Sequence, residues 1–179
     1  MLDAADLLRS YRDIEIWIAG GNSRPDVFFE RNTGRVLDKL GIVMNNRKRI
    51  ERIIDKNQLS NVKLLGVVSQ PEQLIVKSSV LIFPSYMNGP SRSVFEAGVF
   101  SRPSIISLND KIEDVVKDQI TGTIIDEGSP QQIVEAILQL YNDRRKLEEM
   151  GGNARIKYLA MNDPYQNIKS IEKIYKLLL

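Results

Sequence analysis

Five short apolar segments, separated by stretches with helical periodicity, constrain the fold of this chain more than any other feature. They are IEIWIAGG (Ile14–Gly21), NVKLLGVVS (Asn61–Ser69), VLIFP (Val80–Pro84), PSIISL (Pro103–Leu108) and TGTIID (Thr121–Asp126). Strands that alternate with helices require right-handed crossovers and form a parallel sheet covered by helices on both faces. The sequence therefore predicts a Rossmann-like α/β fold.

Helix signals fill the segments between these strands. Three internal helices are predicted, at Arg47–Leu59, Pro71–Ser79 and Ser93–Phe100. The stretch Asn22–Asn46 has mixed signals and two turn motifs, so we interpret it as an insertion with some helix over Gly34–Leu40. IEDVVKD predicts one or two helical turns. After residue 128 the pattern predicts three helices, the first opening with Ser129-Pro130 and the second ending near Gly151.

Composition limits the chemistry that is open to the chain. Its 179 residues, 42% of them hydrophobic, predict a single domain, residues 1–179. It has neither cysteine nor histidine, which excludes disulfides, thiolate nucleophiles, Ser-His-Asp triads and the usual zinc sites. The net charge of +2 gives no strong attraction to nucleic acid. With no signal peptide and no membrane-length apolar run, the expected location is the cytoplasm. An amphipathic helix (Leu2, Ala5, Leu7, Leu8, Tyr11) leads directly into a strand, as expected of a fragment of a longer chain.

Two glycine-bearing loops fall at the carboxyl ends of predicted strands, which is where ligands bind in such sheets. One is Gly20-Gly21, and the other is the loop that precedes the helix at Ser93. Backbone amides of that second loop, together with the helix dipole, would suit a diphosphate, and Gly89 would allow close approach. Glu96 then has two compatible interpretations. It completes a capping box with Ser93, or it accepts hydrogen bonds from a vicinal diol such as a ribose.

The stretch from Ser85 to Ile106, SYMNGPSRSVFEAGVFSRPSII, resembles the donor-site signature of retaining GT-B glycosyltransferases of family four, S-x-x-E-G-x-x-x-x-x-x-E-A-x-x-x-G-x-P-V-I. The resemblance continues on both sides. NVKLLGVVSQPEQLIVKSSVLIFPS resembles V-x-F-L-G-x-V…L…A-D-V-F-V-L-P-S, IEDVVKDQITGTIID resembles I-P-E-V-V-x-D-G-x-T-G-x-L-V, and MGGNAR resembles M-G-x-N-A-R. Apart from the insertion, the match runs in one order from about Ile14 to Leu179.

The resemblance implies a nucleotide-sugar site at specific residues. Glu96 would hold the ribose, and the amides around Ser91, Arg92 and Ser93, in the loop that also contains Gly89 and Pro90, would hold the diphosphate. Gly20 and Gly21 would line the cleft where donor and acceptor meet, and the main chain at Val67 and Val68 would contact the nucleobase. The alternative for Gly20 and Gly21 is that they are ordinary turn glycines, and the alternative for Val67 and Val68 is ordinary strand packing.

Three departures from the family pattern bear on activity. Asn88 stands where the first glutamate of the signature contacts the donor sugar, so an amide replaces a carboxylate at the position implied to be catalytic. Asp114 and Gln119 replace the usual glutamate and glycine, which we interpret as drift in a packing loop. The resemblance also implies that the family's diphosphate-binding Arg and Lys, and its N-terminal acceptor domain, lie upstream of Ile14 on a segment that this chain is expected to lack.

The expected function is therefore that of the donor-binding half of a glycosyltransferase. The parent would transfer a sugar from a UDP- or GDP-sugar to a glycan, lipid-linked or other acceptor with retention, without a cofactor or a metal; the isolated chain would bind donor weakly and transfer nothing. A catalytically silent scaffold and a sugar-nucleotide epimerase domain are the alternatives. The absence of histidine disfavours the epimerase, and GGNSRP lacks the G-x-G-x-x-G of a nicotinamide dehydrogenase.

The last predicted helix has an apolar stripe with lysines on its reverse side. The stripe consists of Ile168, Ile171, Ile174 and Leu178, and the lysines are Lys169, Lys173 and Lys176. The stripe is expected to pack on this domain or on the missing one, with peripheral contact at the inner membrane face as the alternative.

Overall fold

The computed structural model describes residues 1–22, 24–84, 92–107 and 115–178. It divides into two compact units, Met1–Gln70 and Pro71–Leu179. Each predicted strand is present, and all described strand pairs are parallel, which confirms the predicted α/β class.

The first unit is built on a pair of parallel strands. Its elements are α1 (Leu2–Leu7), β1 (Ile16–Ala19), α2 (Asp26–Glu30), α3 (Asn32–Lys39), α4 (Asn46–Asn57) and β2 (Val62–Gly66). Ile16 of β1 pairs with Val62 of β2, and both are buried together with Leu8 and Leu59. The predicted insertion contains two helices, α2 and α3, so its helical content exceeds the expected Gly34–Leu40.

The second unit is built on a three-stranded parallel sheet in the order β3-β4-β5. Its elements are α5 (Pro71–Lys77), β3 (Leu81–Phe83), α6 (Arg92–Val99), β4 (Ser104–Ser107), β5 (Gly122–Ile125), α7 (Pro130–Asn142), α8 (Arg144–Met161) and α9 (Pro164–Leu178). All four residues of the central strand β4 are buried, as expected for a parallel strand covered on both faces. The core of the second unit contains Val94, Ile106, Val116, Ala154 and Tyr158.

Two predictions within the second unit are wrong. The second C-terminal helix does not end near Gly151, because α8 continues through Gly151 and Gly152 to Met161. A Cβ at Gly151 would lie 2.2 Å from the carbonyl oxygen of Ser101, so this glycine permits close packing rather than a helix end. The described part of the predicted helical turns, Val115–Asp118, is not helical. Its backbone is stabilised by tertiary contacts, including the Tyr158 hydroxyl bond to Val115.

The C-terminal stripe does not pack on the described residues. Every side chain from Pro164 to Leu177 is exposed, including those of Ile168, Ile171 and Ile174. The side chain of Leu178 lies outside the described part of the chain. Of the alternatives considered for α9, packing on its own unit is therefore not observed.

Candidate functional site

Glu96 lies on the exposed face of α6, one turn from the helix start. Its side chain is 37% exposed and its Oε1 lies 3.2 Å from Nε of Arg92, whose own side chain is 90% exposed. Val94, Ala97 and Gly98 form the buried face of the same helix. The helical period thus directs the carboxylate of Glu96 away from the core, on the side that Arg92 also occupies.

The predicted capping box at Ser93 is wrong. In the described part of the chain α6 runs from Arg92 to Val99, so Ser93 lies inside the helix. A cap has non-helical backbone, which Ser93 lacks. The described partner of Glu96 is the guanidinium of Arg92 at i−4, so the carboxylate forms an exposed ion pair instead of closing the helix start.

The helix that carries Glu96 is held in place by α8. Gly98 lies directly against Tyr158, because a Cβ there would come within 1.8 Å of the tyrosine ring. Phe95 meets the same ring edge-on, with centroids 5.3 Å apart. Arg155 donates to the carbonyl of Val99 at the end of α6. The M-G-x-N-A-R segment therefore supports α6, a role that sequence reasoning did not predict.

Tyr158 is the buried polar residue of this contact. It is 1% exposed, its hydroxyl donates to the carbonyl of Val115 over 2.6 Å, and burial raises its pKa to about 12. Gly98 and Val115 lie 60 and 43 residues before Tyr158 in the chain. The periodic pattern of α8 therefore gives no signal for these contacts.

The glycine loop of the first unit lies beside the end of β2. Gly20, with φ of 141°, donates from its amide to the carbonyl of Gly66 over 2.7 Å. This φ favours glycine because side chains rarely tolerate it. Gly21 leaves room for a methyl of Val67, which an added Cβ would approach to 2.6 Å. The side chain of Val67 is 83% exposed, which argues against ordinary strand packing for it.

These residues border a cavity of about 130 Å³. Its lining combines three predicted site residues, Gly20, Gly21 and Val67, with others from the insertion and α4: Asn22, Arg24, Pro25, Asp26, Arg47 and Gly66. Val68 is half-buried and is not part of the lining within the described chain. The structure thus brings together both predicted glycines and one of the two predicted valines.

A polar network that sequence reasoning missed closes one side of this cavity. Arg47 pairs with Asp26 at 3.0 Å and with Glu51 at 2.9 Å. The hydrogen bond with Glu51, followed by the charge of Asp26, raises the pKa of Arg47 above its ordinary value. Asn22 accepts from the Arg47 amide and donates to Asp26 and Asn45. The i, i+4 spacing of Arg47 and Glu51 was visible in the sequence, but the approach of Asp26 was not.

A larger groove of about 530 Å³ lies in the second unit beside the start of α8. It is lined by Gln119, Lys146 and Glu149, among others. Gln119 precedes β5, so this groove lies at the edge where the strands begin. Ligands of parallel sheets bind at the opposite edge, and we therefore do not assign the groove to the donor.

Several predicted site residues lie outside the described chain. They are Asn88, Gly89, Pro90 and Ser91, together with Asp114. Within the described ranges, no group of three or more Asp or Glu residues is arranged to hold a metal ion. None of the helices described in the chain is both long and apolar enough to cross a membrane.

The parallel α/β fold, with the glycine loop that follows β1, belongs to the class in which ligands bind at the carboxyl ends of the strands. The chain belongs to the glycosyl transferases group 1 family, whose sequence pattern matches residues 1–157.

A curated relative and two solved structures agree with this assignment. An uncharacterized glycosyltransferase of Methanocaldococcus jannaschii is 30% identical over 110 residues, which cover 60% of this chain and 31% of the relative. TarM of Staphylococcus aureus superposes with a TM-score of 0.74 at 22% identity, covering 98% of this chain and 31% of TarM. Anabaena HepE in complex with UDP-glucose superposes with a TM-score of 0.65 at 16% identity, and the match covers 97% of this chain and 53% of HepE. The chain thus spans about a third of the first two proteins and about half of the third. Its fold is that of GT-B glycosyltransferases.

Proposed function

We propose that this chain is the nucleotide-sugar-binding part of a retaining glycosyltransferase, and that Glu96 binds the ribose of the donor. The observation that carries the proposal is the position of Glu96. Its carboxylate faces solvent on α6, the next described element after β3, while Val94, Ala97 and Gly98 on the other face of the helix are buried. Family membership and the UDP-glucose complex of Anabaena HepE support a nucleotide-sugar as ligand.

The ion pair of Glu96 with Arg92 would yield readily to such a ligand. Both side chains are exposed, and pairs of this kind at helical spacing are worth only about 0.5 kcal/mol. A ribose diol would therefore displace the guanidinium from the carboxylate at little cost. The released Arg92 would lie in the first turn of α6, where the dipole is positive. The positive charge of Arg92 and the helix dipole would then both attract an anionic diphosphate.

This arrangement would support transfer without a metal ion. The developing negative charge of the leaving diphosphate would be offset by the helix dipole, by the backbone amides of residues 91–93 and by the side chain of Arg92. Asn88 would contact the donor sugar. Gly20 and Gly21 would line the cleft where donor and acceptor meet, and the main chain at Val67 and Val68 would contact the nucleobase.

Family membership supports a glycosyl transfer activity for the whole protein without specifying the donor or the acceptor. We propose that it transfers the sugar of a UDP- or GDP-sugar to a glycan or lipid-linked acceptor bound by an N-terminal domain outside this chain. The chain by itself, residues 1–179, would bind donor and transfer nothing. The protein would act in the cytoplasm, with any membrane contact peripheral.

An amide NMR titration tests the assignment of Glu96. We expect saturable shifts with UDP or GDP and a weaker affinity in Glu96→Gln, which keeps the shape of the side chain and removes its charge. Glu148→Gln, an exposed glutamate of α8, serves as the matched control and should bind like the parent chain. Unperturbed spectra with every nucleotide, or equal losses in the two variants, would contradict the proposed donor site.

A further inference from the structure

The first unit has an exposed surface that nucleotide binding does not explain. It consists of four apolar residues from the end of the insertion, Val36, Leu40, Ile42 and Met44, and of four cations on α4, Lys48, Arg49, Arg52 and Lys56. We refer to these eight residues as the basic-apolar surface. The apolar members are between 48% and 67% exposed, although side chains of this kind normally lie inside a protein.

The apolar residues lie close together in the fold. Val36 and Leu40 are one helical turn apart at α3, which places them on the same face. The amide of Ile42 donates to the carbonyl of Leu37 over 3.0 Å, which folds the chain back over the end of α3. This turn brings the exposed side chain of Ile42 to the same end of the helix as Leu40.

The cations form a stripe along α4 that begins beside Met44. Arg49, Arg52 and Lys56 follow one another at i, i+3 and i+7, and Lys48 is one turn from Arg52, so all four share one side of α4. Met44 joins the two halves, since its sulfur lies 2.8 Å from a guanidinium nitrogen of Arg49. In the described part of the chain, none of the four cations forms an ion pair.

The charge of this region differs from that of the remaining chain. Residues 22–57 contain nine Lys or Arg and five Asp or Glu, a net charge of +4, whereas the whole chain carries +2 and the remainder therefore −2. The positive excess lies where the apolar side chains are exposed. A partner that fits must offer negative charge beside an apolar phase, which describes an anionic lipid bilayer.

We propose that the basic-apolar surface docks the first unit on an anionic phospholipid surface. The apolar side chains enter the headgroup region while the cations of α4 lie against lipid phosphates, their stems extended along the interface. A soluble polyanion would use the cations alone, and a second copy of the chain would bring two positive surfaces together. The lipid is the one of these partners that uses both halves. This inference does not depend on nucleotide binding.

Sedimentation of the full chain with lipid vesicles tests the proposal. We expect binding to vesicles of phosphatidylcholine mixed with phosphatidylglycerol, weaker binding at high salt, and little binding to phosphatidylcholine alone. The triple variant Arg49→Gln/Arg52→Gln/Lys56→Gln should partition about a hundredfold less, at about fivefold for each lost cation. The double variant Leu40→Ser/Ile42→Ser should partition to the vesicles about tenfold less, or weaker still, because it removes apolar surface.

A matched control removes the same charge elsewhere. Lys169→Gln/Lys173→Gln/Lys176→Gln deletes three exposed cations of α9 and should keep most of the vesicle binding. Circular dichroism verifies that each variant is folded.

Four outcomes would overturn the proposal. The first two are an absence of vesicle binding and a greater loss in the α9 variant than in the α4 variant. The third is binding to soluble polyphosphate with vesicle binding unaffected by Leu40→Ser/Ile42→Ser, which would indicate a polyanion partner. The fourth is a dimer in sedimentation analysis that the same double variant dissociates, which would indicate a second copy.

Discussion

Gln119 has a backbone conformation that its side chain disfavours. Its φ of 58° lies in the left-handed region, and its amide donates to the carbonyl of Gly122 over 2.8 Å. The family signature carries glycine at this position, and again at the position of Ser101, which also has φ of 58°. At both positions this chain thus carries a side chain where the left-handed backbone favours glycine. We therefore expect the backbone at Gln119 to be strained, whatever the reason for the replacement.

Replacing Gln119 by glycine should stabilise the chain relative to Gln119→Ala. Both variants remove the hydrogen bond from Lys146 to the Gln119 side chain, but only glycine relieves the left-handed backbone. We expect the glycine variant to have the higher free energy of unfolding, by about 1 kcal/mol, in urea titrations. An alanine variant as stable as the glycine variant would show that this turn is not strained.

Tyr158 should make stability sensitive to alkaline pH. Its pKa of about 12 in the folded chain lies above that of an unfolded tyrosine, so the contribution of the neutral phenol is complete below about pH 10 and declines as the pH rises through 12. We expect the parent chain to lose about 1 kcal/mol by about pH 11 from this group, a loss that Tyr158→Phe does not show.

Urea titrations at neutral and alkaline pH check this dependence. Tyr158→Phe should be less stable than the parent at neutral pH by about 1 to 2 kcal/mol, because the carbonyl of Val115 loses its partner. Tyr165→Phe in α9, an exposed tyrosine, is the control and should follow the parent at every pH. A constant difference between the parent and Tyr158→Phe from neutral to alkaline pH would refute the assigned titration.

At the scale of elements, the contact of α6 with α8 decides how Glu96 is presented. The two helices meet where Gly98 of α6 lies against the ring of Tyr158 of α8, so neither can shift without disturbing the core. Well-packed interiors tolerate added volume poorly. The rigidity of this pair is what would keep the carboxylate of Glu96 in a constant position while a ligand binds.

Adjacent glycines of α8 should respond oppositely to alanine. Gly151→Ala places a methyl group against the backbone carbonyl of Ser101, which must move, and should destabilise the chain by about 2 kcal/mol or more. Gly152→Ala meets no atom within 4 Å and should stabilise the helix by about 0.5 to 1 kcal/mol. Thermal unfolding of the two variants checks this pair, and a shift of the same sign in both would contradict the described packing.

At the scale of the whole molecule, the described structure consists of two compact units, and the second unit ends in the exposed helix α9. The core of the second unit uses α6, α8 and the three-stranded sheet, whereas every side chain from Pro164 to Leu177 is exposed. The apolar stripe of α9 therefore contributes little burial to the chain as described.

Truncation after Asp163 should leave the stability of the chain almost unchanged. Because α9 buries no side chain from residue 164 to 177, its removal should change the free energy of unfolding by less than about 0.5 kcal/mol in urea. Truncation before Tyr158 is the contrasting variant, since it deletes a core residue and should prevent folding of the second unit. A loss of more than about 1 kcal/mol on removing α9 alone would mean that α9 packs on the chain in solution.

The sequence by itself determined the strands, the parallel α/β class and the family. Apolar periodicity and turn residues are local properties, and the signature motifs keep a fixed order along the chain, so both can be read without coordinates. The resemblance to the family implied site roles for Gly20, Gly21 and Val67, and the structure brings these three residues together around a cavity.

Only the tertiary structure decided how these elements are used. Contacts between distant residues made Gly151 a packing position instead of a helix end and brought Asp26 to Arg47. They also placed Tyr158 beneath the helix that carries Glu96. Periodicity along a chain reports which face of an element is buried, but not which partner buries it, because the partner is chosen by packing across the whole core.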